Sequence, residues 1–242
     1  MRDSYVADVG DFGKYALLNA LAGTDLRLGV LWYRNSEPDA TQDGRFTLYP
    51  ELRACDPNLY DRLARILKDK QRTLAQVEKD RILPGNTVFY SAAVPAPTTP
   101  CFSPAAREAQ SQLREAWFKE GFKKLAEAEL VFLDPDNGCA AKRVKKHWRS
   151  SVKYVFEDEV TEWRERGQSS VLYQHQQRRT LLEQVSDQRK ILAAGKACHV
   201  VSFHRRAVRI YYIVPADGHE FRIAERLTCL LAGAWGKHFL RH

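Results

Sequence analysis

The most chemically informative stretch of this sequence places two carboxylates, a proline and an amide in four consecutive positions. Asp134-Pro135-Asp136-Asn137 directly follows Leu130–Leu133, a run too short and too evenly apolar for an amphipathic helix. Such a run is typical of a strand buried on both faces in a parallel sheet. Because open α/β sheets bind ligands beyond the carboxyl ends of their strands, we predict a site at 134–137. The alternative is an ordinary turn, since Asn and Gly tolerate positive φ.

A second acidic group follows the predicted strand 154–156. Glu157 and Glu159 stand at its carboxyl end, where they could face Asp134 and Asp136. Carboxylates are hard oxygen ligands suited to magnesium or manganese, and two such ions can activate water on a phosphodiester. A divalent-metal-dependent nuclease is therefore one hypothesis. The alternative is that these acids cap the helix that follows them.

Three basic or titratable residues follow the next predicted strand, 170–174. His175 has a reference pKa near the working pH, so it could act as a general base or donate to a phosphate, although a lone histidine can equally be structural. Arg178 and Arg179 could hold a phosphate bidentately or could lie on the surface at a helix start.

The charge balance favours a polyanionic partner. The chain carries a formal net charge of +8, which would attract nucleic acid if the basic residues share a face. Further basic residues cluster at 204–206. In the main basic cluster Trp148 could also stack on a base. The residues of that cluster predicted to contact nucleic acid are Lys142, Arg143, Lys145, Lys146 and Trp148. The alternative is a solvated charged face.

Length and composition predict one cytoplasmic α/β domain spanning 1–242. Charged residues interrupt every apolar run before membrane-spanning length, so we expect no membrane partner. The first residues carry an acid where a secretory signal needs a basic region and a long apolar stretch. Five widely spaced cysteines, with no Cys-x-x-Cys pair, indicate neither a disulfide framework nor a zinc knuckle.

Strands alternate with helices along the chain. This alternation predicts a doubly wound, mostly parallel Rossmann-like sheet, and the last two strands predict a C-terminal antiparallel hairpin. We expect Asp11 to cap the first helix. The predicted strands are 28–33, 87–94, 130–133, 154–156, 170–174, 199–204 and 208–214. The predicted helices are 14–22, 57–67, 73–82, 104–128, 178–194 and 220–239, the last with Trp235 and Phe239 on its buried face.

This arrangement resembles class I S-adenosylmethionine-dependent methyltransferases, whose sheet ends in a reversed strand. Residues 134–137 resemble the Asp-Pro-Pro-Tyr signature of amino-methyltransferases. The order of residues 11–15 opening a helix, the strand 28–33, and then residues 43–46 is similar to the start of bacterial ribosomal RNA adenine-N6 methyltransferases. It also resembles the three-Cys-motif partner proteins. The resemblance covers about the first two thirds of the chain.

The resemblance implies an amino-methyltransferase that acts on a flipped base in RNA or DNA. Asp134 and the Pro135 carbonyl would hold the target amine. Asp136 and Asn137 depart from the signature, so Tyr173 or Trp148 would have to supply the stacking aromatic. The residues implied to bind S-adenosylmethionine are Lys14, Tyr33, Asp43, Gly44 and Arg45.

The strand 28–33 lacks the glycine-rich turn that lets a backbone approach this cofactor. A third hypothesis is therefore a degenerate fold that has lost the cofactor and serves as a non-catalytic nucleic-acid-binding protein.

Overall fold

The computed structural model describes residues 1–35 and 44–242. Its central element is a seven-stranded sheet, and a second sheet of two strands is separate from it. The strands are β1 (Leu28–Leu31), β2 (Val88–Tyr90), β3 (Leu130–Leu133), β4 (Gly138–Cys139), β5 (Tyr154–Val155), β6 (Ser169–His175), β7 (His199–Arg205), β8 (Ala207–Val214) and β9 (Phe239–Arg241). The helices are α1 (Val9–Ala22), α2 (Pro57–Lys68), α3 (Leu74–Lys79), α4 (Pro104–Lys124), α5 (Glu157–Glu165), α6 (Leu181–Ala193) and α7 (Glu220–Ala232).

The main sheet has the order β2-β1-β3-β6-β8-β7-β9 and is mostly parallel in direction. Strands β1, β2, β3 and β6 pair in parallel. Strand β8 lies between β6 and β7 and pairs antiparallel with both, so β7 points the same way as β6. Strand β9 then pairs antiparallel with β7. The carboxyl ends of β1, β3 and β6 therefore meet at one side of the sheet.

Helices cover both faces of this sheet. Tyr15 of α1 and Leu63 of α2 pack with Phe132 in one core, to which α3 and α7 also contribute. Trp117 of α4 and Trp163 of α5 pack in a second core on the opposite face, together with α6. Strand β3 feeds both cores, because its side chains alternate between the faces. This double burial explains why Leu130–Leu133 is continuously apolar.

The first helix begins earlier than the sequence predicted. Its N-cap is Asp8, whose Oδ1 accepts a 2.8 Å hydrogen bond from the Asp11 amide, so the expectation that Asp11 caps the helix was wrong. Gly10 and Gly13 lie inside the helix although glycine disfavours helix interiors. A Cβ atom would lie 2.1 Å from the Arg209 side chain at Gly10 and 2.8 Å from Phe203 at Gly13. The absence of a side chain at Gly13 therefore leaves room for the Phe203 ring, whereas at Gly10 the flexible end of Arg209 would have to move.

The predicted helix 220–239 was too long, because α7 ends at Ala232. The amide of Gly233 closes the helix on the Cys229 carbonyl, a short 3-10 helix follows, and Phe239 begins β9. Trp235 and Phe239 are buried as expected, but they do not share a helix face. Strand β5, matching the predicted strand 154–156, pairs with β4 outside the main sheet. No helix in 1–35 and 44–242 is long and apolar enough to cross a membrane.

Candidate functional site

A cavity of about 640 Å³ opens where the carboxyl ends of β3 and β6 meet the start of α1. Asp134, Pro135, Asp136 and Asn137 line it from β3, and Tyr173 and His175 line it from β6. The structure thus brings together the five residues predicted to be catalytic, 134–137 and His175. Residues of the first turns of α1, the segment 44–46 and the β7–β8 turn complete the lining.

Lys14 connects α1 to the end of β3. Its Nζ lies 2.8 Å from Oδ1 of Asp11 and 2.8 Å from Oδ2 of Asp134, and all three side chains are buried. Burial alone would lower the pKa of Lys14, but the two carboxylates outweigh it and hold that pKa well above its usual range. Burial also raises the pKa of Asp134, against the effect of Lys14. Oδ1 of Asp134 accepts no hydrogen bond within the described residues.

A second charge pair, between buried Asp8 and partly buried Arg209, lies beside the first. The carboxylate of Asp8 is 3.5 Å from the guanidinium of Arg209, and it also caps α1. Burial, reinforced by the nearby Asp11 carboxylate, raises the pKa of Asp8 to about 6. Both residues line the cavity. The cavity wall therefore carries a carboxyl group with a pKa of about 6.

The rest of the loop after β3 is held by backbone and amino groups. The amino group of Met1 lies 2.6 Å from Oδ1 of Asp136 and donates to the Tyr33 carbonyl at 2.9 Å. The Asn137 carbonyl accepts a 2.7 Å hydrogen bond from Gln174 Nε2, and the Asn137 amide donates to the Lys153 carbonyl. Residues 136 and 137 are therefore held by contacts with distant segments in addition to the turn itself.

The residues implied to bind the cofactor divide into three groups. Lys14, Gly44 and Arg45 line the cavity. Tyr33 does not, because it is fully buried and donates a 3.0 Å hydrogen bond to Glu159. Asp43 lies outside the residues that the structure describes. Aromatic rings, carboxylates and guanidinium groups all face the cavity, and this donor set suits a ligand as mixed in chemistry as S-adenosylmethionine.

The four carboxylates of the nuclease hypothesis do not form a metal site. Glu159 is buried and paired with Arg114, whose Nε lies 2.7 Å from its Oε1, and it also accepts the hydroxyl of Tyr33. Glu157 is exposed in the first turn of α5, and the acid that caps this helix is Glu159, whose Oε2 accepts the Phe156 amide at 3.1 Å. Asp134 and Asp136 are each paired with a cationic amine. Within 1–35 and 44–242, no group of three or more His, Cys, Asp or Glu residues could hold a metal ion.

The main basic cluster lies away from the cavity, in the connection between β4 and β5. Trp148 is 44% exposed, and Lys146 pairs with Asp158. Lys142, Arg143 and Lys145 are exposed in the same connection. Beyond β6, Arg178 is exposed, while Arg179 forms a 2.8 Å ion pair with Asp187. None of these residues lines the cavity as described.

Sequence reasoning missed several residues of the cavity wall. Asp8 carries a readable signal, because an acid three residues before Asp11 fits an N-cap. Arg209 carries none, since its partners lie on α1. Phe46 and Arg206 come together only through the fold.

No family model matches this chain, and no curated protein matches it. Among solved structures, it is similar to a protein of Legionella pneumophila str. Philadelphia 1 described by the family model DUF519, with 11% identity and a TM-score of 0.42. The match covers 98% of this chain and 96% of that one. A likeness at this level assigns neither a family nor an activity.

Proposed function

We propose that this protein is an S-adenosylmethionine-dependent methyltransferase that modifies an exocyclic amine of a base in RNA or DNA. The observation that carries the proposal is the state of Asp134. Lys14 occupies one of its oxygens, whereas the other accepts no hydrogen bond among residues 1–35 and 44–242. Asp134 lies with Pro135 in the wall of a cavity at the carboxyl end of a central strand.

The strand order supports this proposal. The succession β1-β3-β6, followed by an antiparallel strand inserted before β7, resembles the sheet of class I methyltransferases with its reversed strand. In that resemblance β3 corresponds to the strand that carries the amine-binding signature. Ligands bind to such sheets beyond the carboxyl ends of the strands, where this cavity lies.

Each of these cavity residues would have a separate role in methyl transfer. When bound, S-adenosylmethionine supplies an electrophilic methyl group. Oδ1 of Asp134 and the carbonyl of Pro135 would each accept one N–H of the target amine and so orient its lone pair. Lys14 would hold the Asp134 carboxylate in place, and its charge opposes the rise that burial causes in the pKa of Asp134. Tyr173 lines the cavity and would offer the ring that Asn137 cannot, whereas Trp148 lies elsewhere.

The test is transfer of a labelled methyl group from S-adenosylmethionine to total RNA and, separately, to total DNA. Wild type should label one of them, and Asp134→Asn should reduce labelling by at least about a hundredfold, since positioning of the reacting group is lost. Asp217→Asn is the matched control, because Asp217 is exposed and pairs with Lys196 near the surface. Wild-type protein that labels neither nucleic acid would contradict the proposal.

Non-catalytic nucleic-acid binding is the second candidate, and one observation favours it. Where a glycine-rich turn would follow β1, Tyr33 is buried with φ at +42° and its carbonyl accepts the Met1 amino group. The cofactor would therefore have to bind without the usual close backbone approach. A melting temperature that does not rise at S-adenosylmethionine concentrations about a hundredfold above a micromolar Kd would favour this candidate, because bound ligand adds roughly 2.7 kcal/mol of stability there.

A further inference from the structure

Two histidines converge on one buried hydroxyl at the edge of the main sheet. Nε2 of His204 and Nε2 of His242 each lie 2.7 Å from Oγ of Ser202. Ser202 is fully buried, whereas both histidines are partly exposed. We call Ser202, His204 and His242 the edge cluster. None of them lines the described wall of the cavity at Asp134, so the edge cluster is separate from the candidate site.

The strand register explains why the two imidazoles meet. Phe203 of β7 and Phe239 of β9 are paired, and both pack in the core beside α1. Ser202 and His204 therefore point to the opposite face, since side chains alternate along a strand. His242 follows β9, and its amide donates to a carbonyl of β7 at 2.9 Å. It comes three residues after Phe239, so the same alternation places it on the face of Ser202.

Both imidazoles can present a lone pair to a ligand. A hydroxyl donates one hydrogen, so Ser202 donates to one Nε2 and accepts from the other. Burial lowers the pKa of His204. Burial, followed by the charges of His204 and Arg189, lowers the pKa of His242. The two imidazoles are therefore neutral at neutral pH, which is the form that binds metal ions.

The spacing of the three atoms suits a small cation. Because both nitrogens lie 2.7 Å from one oxygen, they are at most twice that distance apart. A tetrahedral zinc ion, with bonds of about 2.0–2.1 Å to imidazole, keeps two nitrogens about 3.4 Å apart. Small rotations of the partly exposed His204 and His242 side chains would bring them to that spacing. The Ser202 oxygen would then be the third ligand, and water could fill the remaining position.

The charged groups around the edge cluster come from α6 and β9. Arg189 of α6 donates to the His242 carbonyl at 2.6 Å, and the guanidinium of Arg241 lies 3.1 Å from Nδ1 of His199. Among residues 1–35 and 44–242, no carboxylate side chain bonds to His204 or His242. Binding of a cation would therefore depend on its bonds to nitrogen and not on opposite charge. This favours zinc, nickel and copper over magnesium and manganese, which prefer oxygen ligands.

We propose that Ser202, His204 and His242 bind a divalent transition metal of the zinc, nickel and copper class. The ion joins the segment after β9 to β7, because His204 belongs to β7 and His242 follows β9. It would thereby fasten β9, which pairs with β7 through only three residues. A metal bound only by the folded chain stabilises that fold.

The test is calorimetric titration of untagged protein with Zn²⁺, Ni²⁺ and Mg²⁺ at neutral pH. Wild type should bind Zn²⁺ and Ni²⁺ but not Mg²⁺ at the same concentrations. His204→Gln and His242→Gln should each weaken Zn²⁺ binding by at least about tenfold, because loss even of a group that only orients a metal ligand typically costs that much. His147→Gln is the matched control, since His147 lies in the connection between β4 and β5.

A variant that adds a stronger ligand tests the position of the ion. Ser202→Cys replaces the hydroxyl with a sulfur ligand, and thiolates bind zinc and similar ions well. With Co²⁺ this variant should show a sulfur-to-cobalt absorption band that wild type does not show. Circular dichroism checks that the variants keep the fold. Absence of the band in a folded variant would count against a metal at Ser202.

The results divide clearly. Zn²⁺ should raise the melting temperature of wild type and of His147→Gln, but not that of His242→Gln. Equal Zn²⁺ affinity in wild type and in both edge-cluster histidine variants would overturn the inference, and so would wild type that binds neither Zn²⁺ nor Ni²⁺. None of these measurements involves S-adenosylmethionine, so their outcome is independent of the methyltransferase proposal.

Discussion

Lys14 and Asp134 are 120 positions apart in the chain, yet Nζ of the lysine lies 2.8 Å from Oδ2 of the aspartate in a buried contact. The same ammonium group binds Asp11. This lysine therefore joins the first helix to the loop after β3 and balances two carboxylates that are otherwise shielded from water. Its positive charge holds together the parts of the cavity wall that carry Asp11 and Asp134. It also fixes the position in which the Asp134 carboxylate would meet a ligand.

Lys14→Met should destabilise the fold strongly. The variant leaves two buried carboxylates without their cation, and loss of one partner from a buried pair costs about 3–5 kcal/mol. Urea unfolding followed by circular dichroism measures the effect. Lys124→Met, at an exposed site, should change the unfolding free energy by no more than about 0.5 kcal/mol. Adding Asp134→Asn to Lys14→Met should recover part of the loss, and no recovery would argue against direct coupling.

Asp8 should make stability depend on pH between about 4 and 6. Its folded-state pKa is raised to about 6 from 3.8, so the folded state binds the proton more tightly than the unfolded state. This contribution to stability is present at low pH and is lost as pH rises through the folded pKa. Asp8→Asn can still cap α1 and removes the titration.

The measurement is the unfolding free energy of wild type and Asp8→Asn at pH 4 and pH 7. Relative to wild type, the variant should gain about 2 kcal/mol between these two conditions. An equal difference between variant and wild type at both pH values would show that Asp8 keeps an ordinary pKa. Comparing differences cancels the titration of groups that do not interact with Asp8.

Gly44→Ala should destabilise the fold more than the same substitution at another glycine with a similar positive φ. Gly44 has φ at +73°, and a Cβ there would lie 1.9 Å from the Ser4 carbonyl oxygen. Gly167 has φ at +78° with nothing within 4 Å of such a Cβ. We expect Gly167→Ala to cost about 1 kcal/mol and Gly44→Ala at least about 2, measured by urea unfolding. Equal costs would mean that the turn at Gly44 shifts freely.

Manganese or magnesium should not raise the melting temperature of the protein. Asp134 and Glu159 are already bonded to Lys14 and Arg114, so a cation would have to displace a lysine or an arginine. Thermal denaturation with and without each ion tests this directly. A rise in wild type that disappears in Asp136→Asn would restore the nuclease hypothesis.

The sequence predicted best where one physical signal dominated. Four consecutive apolar residues defined β3 to the residue, and the loop after it lines the cavity. The start of α6 was missed although Thr180 and Glu183 form a capping box, a signal readable from their spacing. The glycine at position 13, inside α1, depends on packing against the distant residue Phe203, which outweighs local propensity.

The site was predictable only in part, because its residues come from distant segments. The position of Asp134 followed from the strand, but its pairing with Lys14 required the docking of α1. Glu159 was expected near the acidic loop and instead pairs with Arg114, a residue on α4 that no local pattern connects to it. Long-range charge pairs of this kind have no sequence period.

The short strand β9 has a consequence for self-association. It pairs through three residues with β7, itself seven residues long, and so covers the register 201–203 of that strand. At the opposite margin of the sheet, β2 is also only three residues long. A strand with free N–H and C=O groups can template pairing with another chain, and short marginal strands limit that templating. Because the chain reverses after Gly233 to add β9, both edge strands of the sheet are only three residues long. Such short edges disfavour strand-to-strand pairing between molecules.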